Sequence, residues 1–268
     1  MNKLTAIIPT KNEQDFLDNC LKSVAFADEI IVIDSGSTDQ TLQIAQKHRA
    51  RIINHPWQGF RQVHDFAATK AQHDWLLYLD ADERVSRQLK LSIQTVLAQP
   101  LHDAYQLKRL NYFMGRPMKH GGWYPDPMTR LIKKSSLKGW VGQLHEYPQI
   151  NGTIGNLSGH LFHLTHRDLT WSLHKTISYT QANAQLLYRA GHPQVRVRNF
   201  FGAMAREFFY RAIRTAGWRD GLVGWYEIIY QTFNAFLIQV YLWQLQQRVS
   251  LEDKYHQIDQ QISKDLVH

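Results

Sequence analysis

The sequence predicts an α/β fold, a mostly parallel sheet followed by a helical region. Strand-like and helix-like stretches alternate over roughly the first hundred residues, polar clusters follow three of the predicted strands, and the pattern becomes helical after Leu169. Four strand–helix units in a row imply a parallel sheet with helices on both faces. We therefore expect a sheet domain over residues 1–168 and a helical, basic and aromatic region over residues 169–268.

Length and composition narrow the classes of protein that fit. The chain has 268 residues, of which 44% are apolar, and a formal net charge of +8. It can bury a full core, and a mostly disordered chain is excluded. The single cysteine, Cys20, excludes a disulfide scaffold and is compatible with a reducing compartment. No confident transmembrane span is expected, because even the most apolar stretch, residues 228–245, contains polar amides.

Short apolar runs bounded by polar turns mark the strands. The first ends at Pro9, the second stops at Asp34, and the fourth runs straight into Asp80. Runs of this length with β-branched residues are typical of buried strands. The strands are predicted at residues 4–8, 30–33, 51–54, 75–79, 104–111, 129–133 and 143–147.

Apolar side chains recur at helical spacing between these strands. We expect Ser37 or Thr38 to cap the second helix. Residues 115–127, rich in Gly, Pro, Trp and Tyr, are expected to form a loop, and the polar tail beyond Ser250 a frayed helix. The helices are predicted at residues 13–24, 38–48, 61–71, 86–98, 171–190, 197–215 and 223–248.

Polar clusters follow the first, second and fourth strands, at the sheet edge where ligands of such folds bind. Asp80 and Asp82 come directly after a buried strand and could bind one divalent cation, since Mg²⁺ and Mn²⁺ prefer oxygen ligands. Gly36 permits close backbone approach, and the helix N-terminus after it favours a phosphate-bearing ligand. The alternatives are a solvated acidic loop and simple helix capping.

Three segments occur in order along the first part of the chain. They are Ile7-Ile8-Pro9-Thr10-Lys11-Asn12-Glu13, Asp28-Glu29-Ile30-Ile31-Val32-Ile33-Asp34-Ser35-Gly36-Ser37-Thr38-Asp39 and Trp75-Leu76-Leu77-Tyr78-Leu79-Asp80-Ala81-Asp82-Glu83. As an ordered set they resemble glycosyltransferase family 2, the inverting nucleotide-sugar transferases of the GT-A fold. Later segments are similar to the branch that adds glucose to the heptose of the lipopolysaccharide or lipooligosaccharide inner core. These are Gly121-Gly122-Trp123-Tyr124-Pro125-Asp126, Arg130-Leu131 and His145-Glu146.

The resemblance implies a nucleotide-sugar site. Asp82 would hold Mg²⁺ or Mn²⁺ on the diphosphate, and Asp80 would lie near the ribose or the metal. His145 would complete the metal shell, contact the diphosphate or form only a local hydrogen bond. The family commonly carries a basic residue followed by Asn in the third helix, where this chain has His64 and Asp65. His64 would substitute as a donor to the nucleotide, whereas Asp65 is unfavourable beside a diphosphate. The implied donor-binding residues are Pro9, Asn12, Glu13, Asp34, Ser35, His64, Asp80 and Arg130.

An inverting transfer needs a carboxylate that accepts the proton of the acceptor hydroxyl. Asp126, which lies between two prolines in the predicted aromatic loop, is the first candidate, and Glu146 is the second. A second metal site at His160, His163 and His166 is not expected, because a spacing of three does not suit one face of a strand.

Arginine and aromatic residues interleave in residues 196–245. Helices with basic and aromatic faces can lie in a bilayer interface, with the arginines on lipid phosphates. The alternative is a helical pair packed on the core with a solvated basic stripe. A lipid-linked acceptor favours the peripheral membrane contact. The arginines are Arg196, Arg198, Arg206, Arg211, Arg214 and Arg219.

The sequence thus predicts a metal-dependent hexosyltransferase that moves glucose from UDP-glucose onto a heptose of a lipid-linked inner-core acceptor. It would work in the cytoplasm, peripherally on the inner face of the bacterial inner membrane. The nearest alternative is a polyprenyl-phosphate or exopolysaccharide glycosyltransferase of the same fold. Other classes are a basic nucleic-acid-binding protein, which leaves the carboxylate clusters unexplained, and an inactive scaffold, which the intact Asp80 and Asp82 disfavour. No nucleic-acid partner is expected.

Overall fold

The computed structural model describes residues 2–142 and 146–265. The chain divides into two compact units. The sheet unit comprises Met1–Lys119 and Trp123–Arg167, and the helical unit comprises His120–Gly122 and Asp168–His268. The assignment of separate functions to the two parts of the chain stays a prediction.

The sheet unit is built on a nine-stranded sheet and a separate two-stranded sheet. The strands are β1 (Leu4–Thr10), β2 (Glu29–Asp34), β3 (Arg51–Asn54), β4 (Trp75–Tyr78), β5 (Glu83–Val85), β6 (Ala104–Phe113), β7 (Arg116–Pro117), β8 (Asp126–Lys133), β9 (Leu137–Val141), β10 (Tyr147–Ile150) and β11 (Ile154–Leu164). The order in the large sheet is β3-β2-β1-β4-β8-β6-β11-β5, with β7 on β6, and β9 pairs with β10.

Strands β1 to β4 pair in parallel, which confirms the predicted sheet. Strand β8 runs antiparallel to both β4 and β6, β11 is parallel to β6, and β5 is antiparallel to β11. The sheet is therefore mixed but mostly parallel at the half that carries the predicted motifs. Its helices are α1 (Leu17–Ser23), α2 (Thr41–Lys47), α3 (Phe60–Lys70) and α4 (Arg87–Ala98).

Both faces of the parallel strands are buried. In β1, Ala6 and Ile8 enter one apolar cluster while Ile7 enters the other, and in β2 Val32 and Ile33 divide in the same way. Alternate residues of a strand point to opposite faces, so helices cover both sides of the sheet as predicted.

Several predicted boundaries were wrong. Residues 115–127 are not one loop, because β7 and the start of β8 lie within them. In the described part of the predicted strand 143–147, only Tyr147 lies in a strand, because β10 begins there. Strand β11 went unpredicted because a register shift before His160 breaks its alternation at Gly159. Gly159 has φ +94, and an added Cβ would lie 2.4 Å from the backbone nitrogen of Leu89.

The helical unit contains α5 (Leu169–Arg189), α6 (Val197–Phe208), α7 (Gly221–Leu245) and α8 (Leu251–Asp265). A π-helix, Phe209–Arg214, continues α6, so the predicted 197–215 helix changes its hydrogen bonding halfway. The helical unit has a small cluster of buried apolar residues, with Ala184, Val195 and Leu242 at the centre. Within the described ranges, every helix is too short or too polar to cross a bilayer.

Candidate active site

The loops after β1 and β2 are hydrogen-bonded to each other at the carboxyl edge of the sheet. Asn12 Oδ1 accepts from the backbone nitrogen of Thr38 at 2.8 Å, and the Asn12 nitrogen donates to Ser37 Oγ at 2.9 Å. Asn12 has φ 55, a left-handed conformation that asparagine adopts more readily than most residues. Because Ser37 and Thr38 make these bonds, neither caps the second helix, which begins at Thr41 instead.

Asp34 ends β2 and organises the turn that follows. Its Oδ2 accepts from the backbone nitrogens of Gly36 at 2.9 Å and Ser37 at 3.1 Å. Ser35 Oγ is buried and, among the described residues, has no hydrogen-bond partner. Pro9 is buried next to this turn, paired with Ile33 across β1 and β2. We call the hydrogen-bonded loops after β1 and β2, with Asn12, Asp34 and Ser35, the polar rim. Its Ser35 hydroxyl makes no hydrogen bond to the described residues.

Asp80, Asp82 and Glu83 form a closed acidic turn, residues 80–83, between β4 and β5. The backbone nitrogen of Asp80 donates to Glu83 Oε2 at 2.9 Å, and that of Glu83 donates to the Asp80 carbonyl at 2.9 Å. Glu83 is fully buried. Beneath the turn, the buried Cys20 donates from Sγ to the Asp80 carbonyl at 3.5 Å. Burial raises the pKa of the Cys20 thiol far above its ordinary value.

The buried Arg130 and the half-buried Arg109 neutralise this turn. Arg130 Nη2 lies 3.1 Å from Asp80 Oδ2, and Arg109 Nη1 lies 3.3 Å from Glu83 Oε1. Arg109 also donates from Nε to Asp126 Oδ2 at 2.7 Å. Arg130 and Arg109 thus hold three carboxylates in fixed positions.

The pKa values of two acids in the turn, Asp80 and Glu83, shift in opposite directions. Burial acts to raise the pKa of Asp80, but the charge of Arg130, then that of His163, outweighs it and lowers the pKa to about 2. Burial raises the pKa of Glu83, and the negative charge of Asp80 adds to that rise. Burial acts to lower the pKa of Arg109, which Glu83 and Asp126 nevertheless raise above its ordinary value.

Asp126 is the first residue of β8 rather than a loop residue. It lies opposite Arg109 in the antiparallel register of β6 and β8, which explains why the two side chains meet. Its Oδ2 also accepts from Asn111 Nδ2 at 3.1 Å. Within the described part of the chain, Oδ1 has no hydrogen-bond partner. One carboxylate oxygen is therefore fixed, and the other is open.

Asn111 links Asp126 to a histidine beside the acidic turn. Its Nδ2 also donates to the Trp123 carbonyl at 3.2 Å, so its Oδ1 faces His163 Nδ1 at 2.6 Å. Since Asn111 Oδ1 can only accept, Nδ1 of His163 carries a proton. Nε2 of His163 then faces Asp82 Oδ1 at 3.6 Å. A continuous set of contacts runs from Asp82 through His163 and Asn111 to Asp126.

Arg167, the last residue of the sheet unit, lies between Glu13 and the acidic turn. Its Nη2 lies 3.1 Å from Glu13 Oε2 and 3.6 Å from Asp82 Oδ2. Its guanidinium stacks over Phe16, 3.5 Å from the ring centroid. Glu13 is thus tied to the acidic turn through a shared arginine.

Sequence reasoning missed four of these residues: Arg109, Asn111, His163 and Arg167. The first two lie two positions apart on β6, which places them on one face of that strand. His163 lies opposite both Asn111 and Glu83 in the register of β11. No local motif marks these positions, because strand pairing brings Arg109, Asn111 and His163 to the acidic turn and Arg167 follows soon after β11.

His64 and Asp65, where this chain departs from the family pattern, lie on α3. His64 is buried, with its ring 4.3 Å from that of Trp140, and neither ring nitrogen has a hydrogen-bond partner within the described ranges. Burial, followed by the charge of Arg130, lowers the pKa of His64 to about 3. Asp65 Oδ1 accepts from the backbone nitrogen of Trp140 at 2.9 Å. Asp65 therefore fastens α3 to β9, and the nucleotide contact of His64 stays a prediction.

The remaining predicted residues are less closely placed. Glu146 directly precedes β10 of the two-stranded sheet, whereas Asp126 lies on the large sheet. His145 lies outside the described residues. In the part of the chain that the structure describes, no three His, Cys, Asp or Glu side chains are grouped to hold a metal ion. Asp80 and Asp82 fit a Mg²⁺ or Mn²⁺ ion that takes its other ligands from phosphates and water.

Comparisons with known proteins identify the relatives of this chain. The sequence profile of glycosyl transferase family 2 matches residues 5–149. An uncharacterized glycosyltransferase of Rickettsia bellii is 41% identical over 112 residues, which cover 40% of this chain and 38% of that protein. The lipopolysaccharide core biosynthesis glycosyltransferase LpsC of Rhizobium meliloti is 26% identical over 266 residues, covering 93% of this chain and 96% of LpsC. The match therefore spans well under half of the rickettsial relative and nearly all of LpsC.

Solved structures were compared as well. Staphylococcus aureus TarS in complex with UDP-GlcNAc has a TM-score of 0.48 and 15% identity, covering 87% of this chain and 81% of TarS. Glucosyl-3-phosphoglycerate synthase from Mycobacterium tuberculosis, in complex with Mn²⁺, UDP and glucosyl-3-phosphoglycerate, has a TM-score of 0.48 and 18% identity. That comparison covers 72% of this chain and 81% of the synthase.

Proposed function

This chain belongs to glycosyl transferase family 2, and from that premise we propose that it transfers glucose from UDP-glucose to a heptose of a lipid-linked inner-core acceptor, with inversion. The observation that carries the proposal is the acidic turn at the carboxyl edge of the sheet, joined through Arg109 and Asn111 to the open carboxylate of Asp126. This arrangement supplies a donor side and a proton acceptor within one connected set of side chains.

The donor side comprises the polar rim and the acidic turn. Asn12, Asp34 and Ser35 would take the nucleoside, together with Pro9 and His64. Asp80 and Asp82 would hold Mg²⁺ or Mn²⁺, which when bound neutralises the negative charge that develops on the leaving diphosphate. Arg130 keeps Asp80 ionised, so that its carboxylate is available at neutral pH. The donor-binding set also includes Glu13, which Arg167 holds in place.

Asp126 is the residue proposed to accept the proton. Arg109 and Asn111 bind its Oδ2, which fixes the carboxylate and leaves Oδ1 for the acceptor hydroxyl. As the acceptor oxygen bonds to the anomeric carbon of glucose, its proton moves to Oδ1. The bond from that carbon to the diphosphate oxygen breaks, and UDP leaves with the electron pair. Glu146 stays the second candidate, and His145 a candidate ligand beside Asp82.

The acceptor side rests on LpsC and on the helical unit. LpsC is a lipopolysaccharide core glycosyltransferase and is similar over nearly the whole chain. Large apolar side chains of α6, the π-helix and α7 are exposed, with exposed arginines on the same segments. We define this apolar surface as Val197, Phe201, Phe209, Ile213, Leu222, Trp225, Ile229 and Phe233. It supports peripheral binding to the cytoplasmic face of the inner membrane, where a lipid-linked acceptor resides.

Calorimetry with UDP, with and without Mn²⁺, tests the donor site. Wild type and Asp82→Ala are compared, with Asp259→Ala as the control because Asp259 is an exposed acid on α8. We expect Mn²⁺-dependent UDP binding in wild type and in the control, and a loss of at least about tenfold in affinity in Asp82→Ala. Absence of UDP binding to wild type with Mn²⁺ would overturn the donor proposal.

The acceptor is tested separately, by incubating wild type with UDP-glucose and heptose-terminated core lipid in vesicles. Mass spectrometry should detect the addition of one hexose. UDP binding without hexose addition would contradict the acceptor, while the donor site would stand.

A further inference from the structure

Residues 120–122 leave the sheet unit and belong to the helical unit before the chain returns at Trp123. The backbone nitrogen of His120 donates to Asp220 Oδ2 at 2.8 Å, and its Nδ1 lies 2.7 Å from Asp220 Oδ1. The side chain of Asp220 is only 6% exposed. One buried carboxylate thus holds both the backbone and the side chain of His120.

Gly121 is held by the segment that continues α6. Its nitrogen donates to the Thr215 carbonyl at 2.9 Å, and its carbonyl accepts from Arg211 Nη1 at 2.9 Å. Arg211 is itself oriented by Glu207, whose Oε1 lies 2.5 Å from Nε. These two hydrogen bonds, one donated and one accepted by Gly121, leave it little freedom.

Gly122 lies against the side chain of Tyr210. A Cβ added there would lie 2.8 Å from Tyr210 Oη and 2.9 Å from Tyr210 Cε1, closer than side-chain carbons approach one another. Tyr210 and Arg211 belong to the π-helix, Phe209–Arg214, and such insertions in helices occur frequently at functional sites. The π-helix therefore presents two consecutive side chains to consecutive glycines.

Trp123 directly follows this segment and is linked through Asn111 to Asp126, the proposed base. Asn111 donates to the Trp123 carbonyl, directly after the return to the sheet unit, and also to Asp126 Oδ2. Only Tyr124 and Pro125 separate Trp123 from Asp126. Only three residues, Trp123 to Pro125, therefore separate Gly122 from Asp126.

We propose that Arg211, Tyr210 and Asp220 are positioning residues, which hold residues 120–122 so that Asp126 keeps the orientation required for proton removal. The proposal rests on the proposed function in one respect, the role of Asp126. A displacement on the order of 1 Å at a reacting group can reduce the rate about a hundredfold, so the fit at Gly122 is sufficient to matter.

Gly122→Ala is the test variant and Gly115→Ala is its matched control. Both glycines have nearly the same positive φ, +78 and +77, but an added Cβ at Gly115 meets nothing within 4 Å. The two variants thus share the backbone strain and differ in the contact with Tyr210. We expect kcat of Gly122→Ala to be about tenfold or more below that of Gly115→Ala, with equal KM for UDP-glucose. Equal kcat values in the two variants would overturn the catalytic role.

Hydrogen exchange measures the positioning without any activity. Peptides that cover residues 120–128 should exchange faster in Gly122→Ala than in Gly115→Ala, while peptides from β1 and β4 stay unchanged. Faster exchange that stops at residue 122 would overturn the proposal, since the segment would then not transmit its position. If wild type transfers no sugar, the proposed function fails, but the exchange comparison still decides whether the segment is coupled to Asp126.

Discussion

The sheet unit and the helical unit distribute their residues in opposite ways. The sheet unit buries its apolar residues in two large clusters and also buries charges, because Glu83 and Arg130 lie within ion pairs. The helical unit has a small apolar cluster around Ala184, Val195 and Leu242 and leaves many large apolar side chains exposed. Exposed apolar side chains that recur at helical spacing along α7, namely Leu222, Trp225, Ile229 and Phe233, favour a binding partner.

This difference separates two kinds of evidence for function. The profile of glycosyl transferase family 2 matches residues 5–149 and ends before α5, so the family defines the chemistry of the sheet unit only. The role of the helical unit has to be inferred from its own surface and from the segment 120–122. Experiments that alter one unit and measure both catalysis and membrane binding therefore test whether the two units have separate roles.

The largest effect is expected from Asp126→Asn. An amide retains the contacts with Arg109 and Asn111 but cannot accept the proton, so kcat should fall by about 10²–10⁴-fold. UDP binding should be unchanged, because Asp126 does not belong to the proposed donor set. Glu146→Gln is the comparison variant. If Glu146→Gln loses more activity than Asp126→Asn, the base is Glu146 and the sheet unit uses its smaller sheet for catalysis.

Arg109→Met tests whether buried charge pairs stabilise the sheet unit. Removal of Arg109 leaves the buried Glu83 with only the longer 3.9 Å contact to Arg130, so the free energy of unfolding should fall by about 3 kcal/mol. Urea denaturation followed by circular dichroism measures this. Arg206→Met, at an exposed arginine of α6, is the control, and it should change stability by less than about 0.5 kcal/mol. Equal losses in both variants would contradict the contrast between the units.

Leu222→Ser tests the apolar surface against an equally exposed leucine of the sheet unit. Leu222 is 83% exposed and Leu101 is 85% exposed. If Leu222 enters a bilayer, its replacement should weaken binding to vesicles that contain anionic lipid by about tenfold or more, which corresponds to the burial of one leucine. Leu101→Ser should bind like wild type. Equal vesicle binding by both variants would contradict a membrane-binding role of α7.

The smallest effect concerns pH. The folded-state pKa of Asp80 is lowered from 3.8 to about 2, so its ion pair stabilises the protein above pH 4 and is lost as the pH falls toward 2. Glu83 acts in the opposite direction, because its pKa is raised and it takes up a proton more readily in the folded state. The free energy of unfolding should therefore decline less steeply between pH 5 and pH 2 in Asp80→Asn than in wild type. Parallel curves would show that Arg130 does not depress the pKa of Asp80.

Local sequence sufficed for the half of the sheet whose residues are adjacent in the chain. The apolar runs of β1, β2 and β4 end where the polar clusters begin, so the parallel order and the edge with Asp80 could be predicted. Asp126 was predicted as a site residue but in the wrong element, since the flanking prolines resemble a loop. Proline is tolerated there because Asp126 and Pro127 start the strand.

The rest of the candidate site depends on pairings that no short stretch encodes. Arg109 and His163 meet the acidic turn only because β8, β6, β11 and β5 follow β4 in that spatial order. The bulge at Gly159 hides β11 from any periodicity rule. Ser37 and Thr38 resemble helix caps until the partner Asn12, from a separate loop, takes their hydrogen bonds.

Cys20 gives the acidic turn a built-in chemical probe. It is the only cysteine of the chain, it is buried, and its Sγ lies against the carbonyl of Asp80. Thiol reagents attack the thiolate, and burial suppresses that form. In the native protein, alkylation therefore requires a local opening that exposes Cys20. The rate at which a maleimide reacts with Cys20 thus measures how often the core beneath this turn opens, and a ligand that stabilises the turn will slow the reaction.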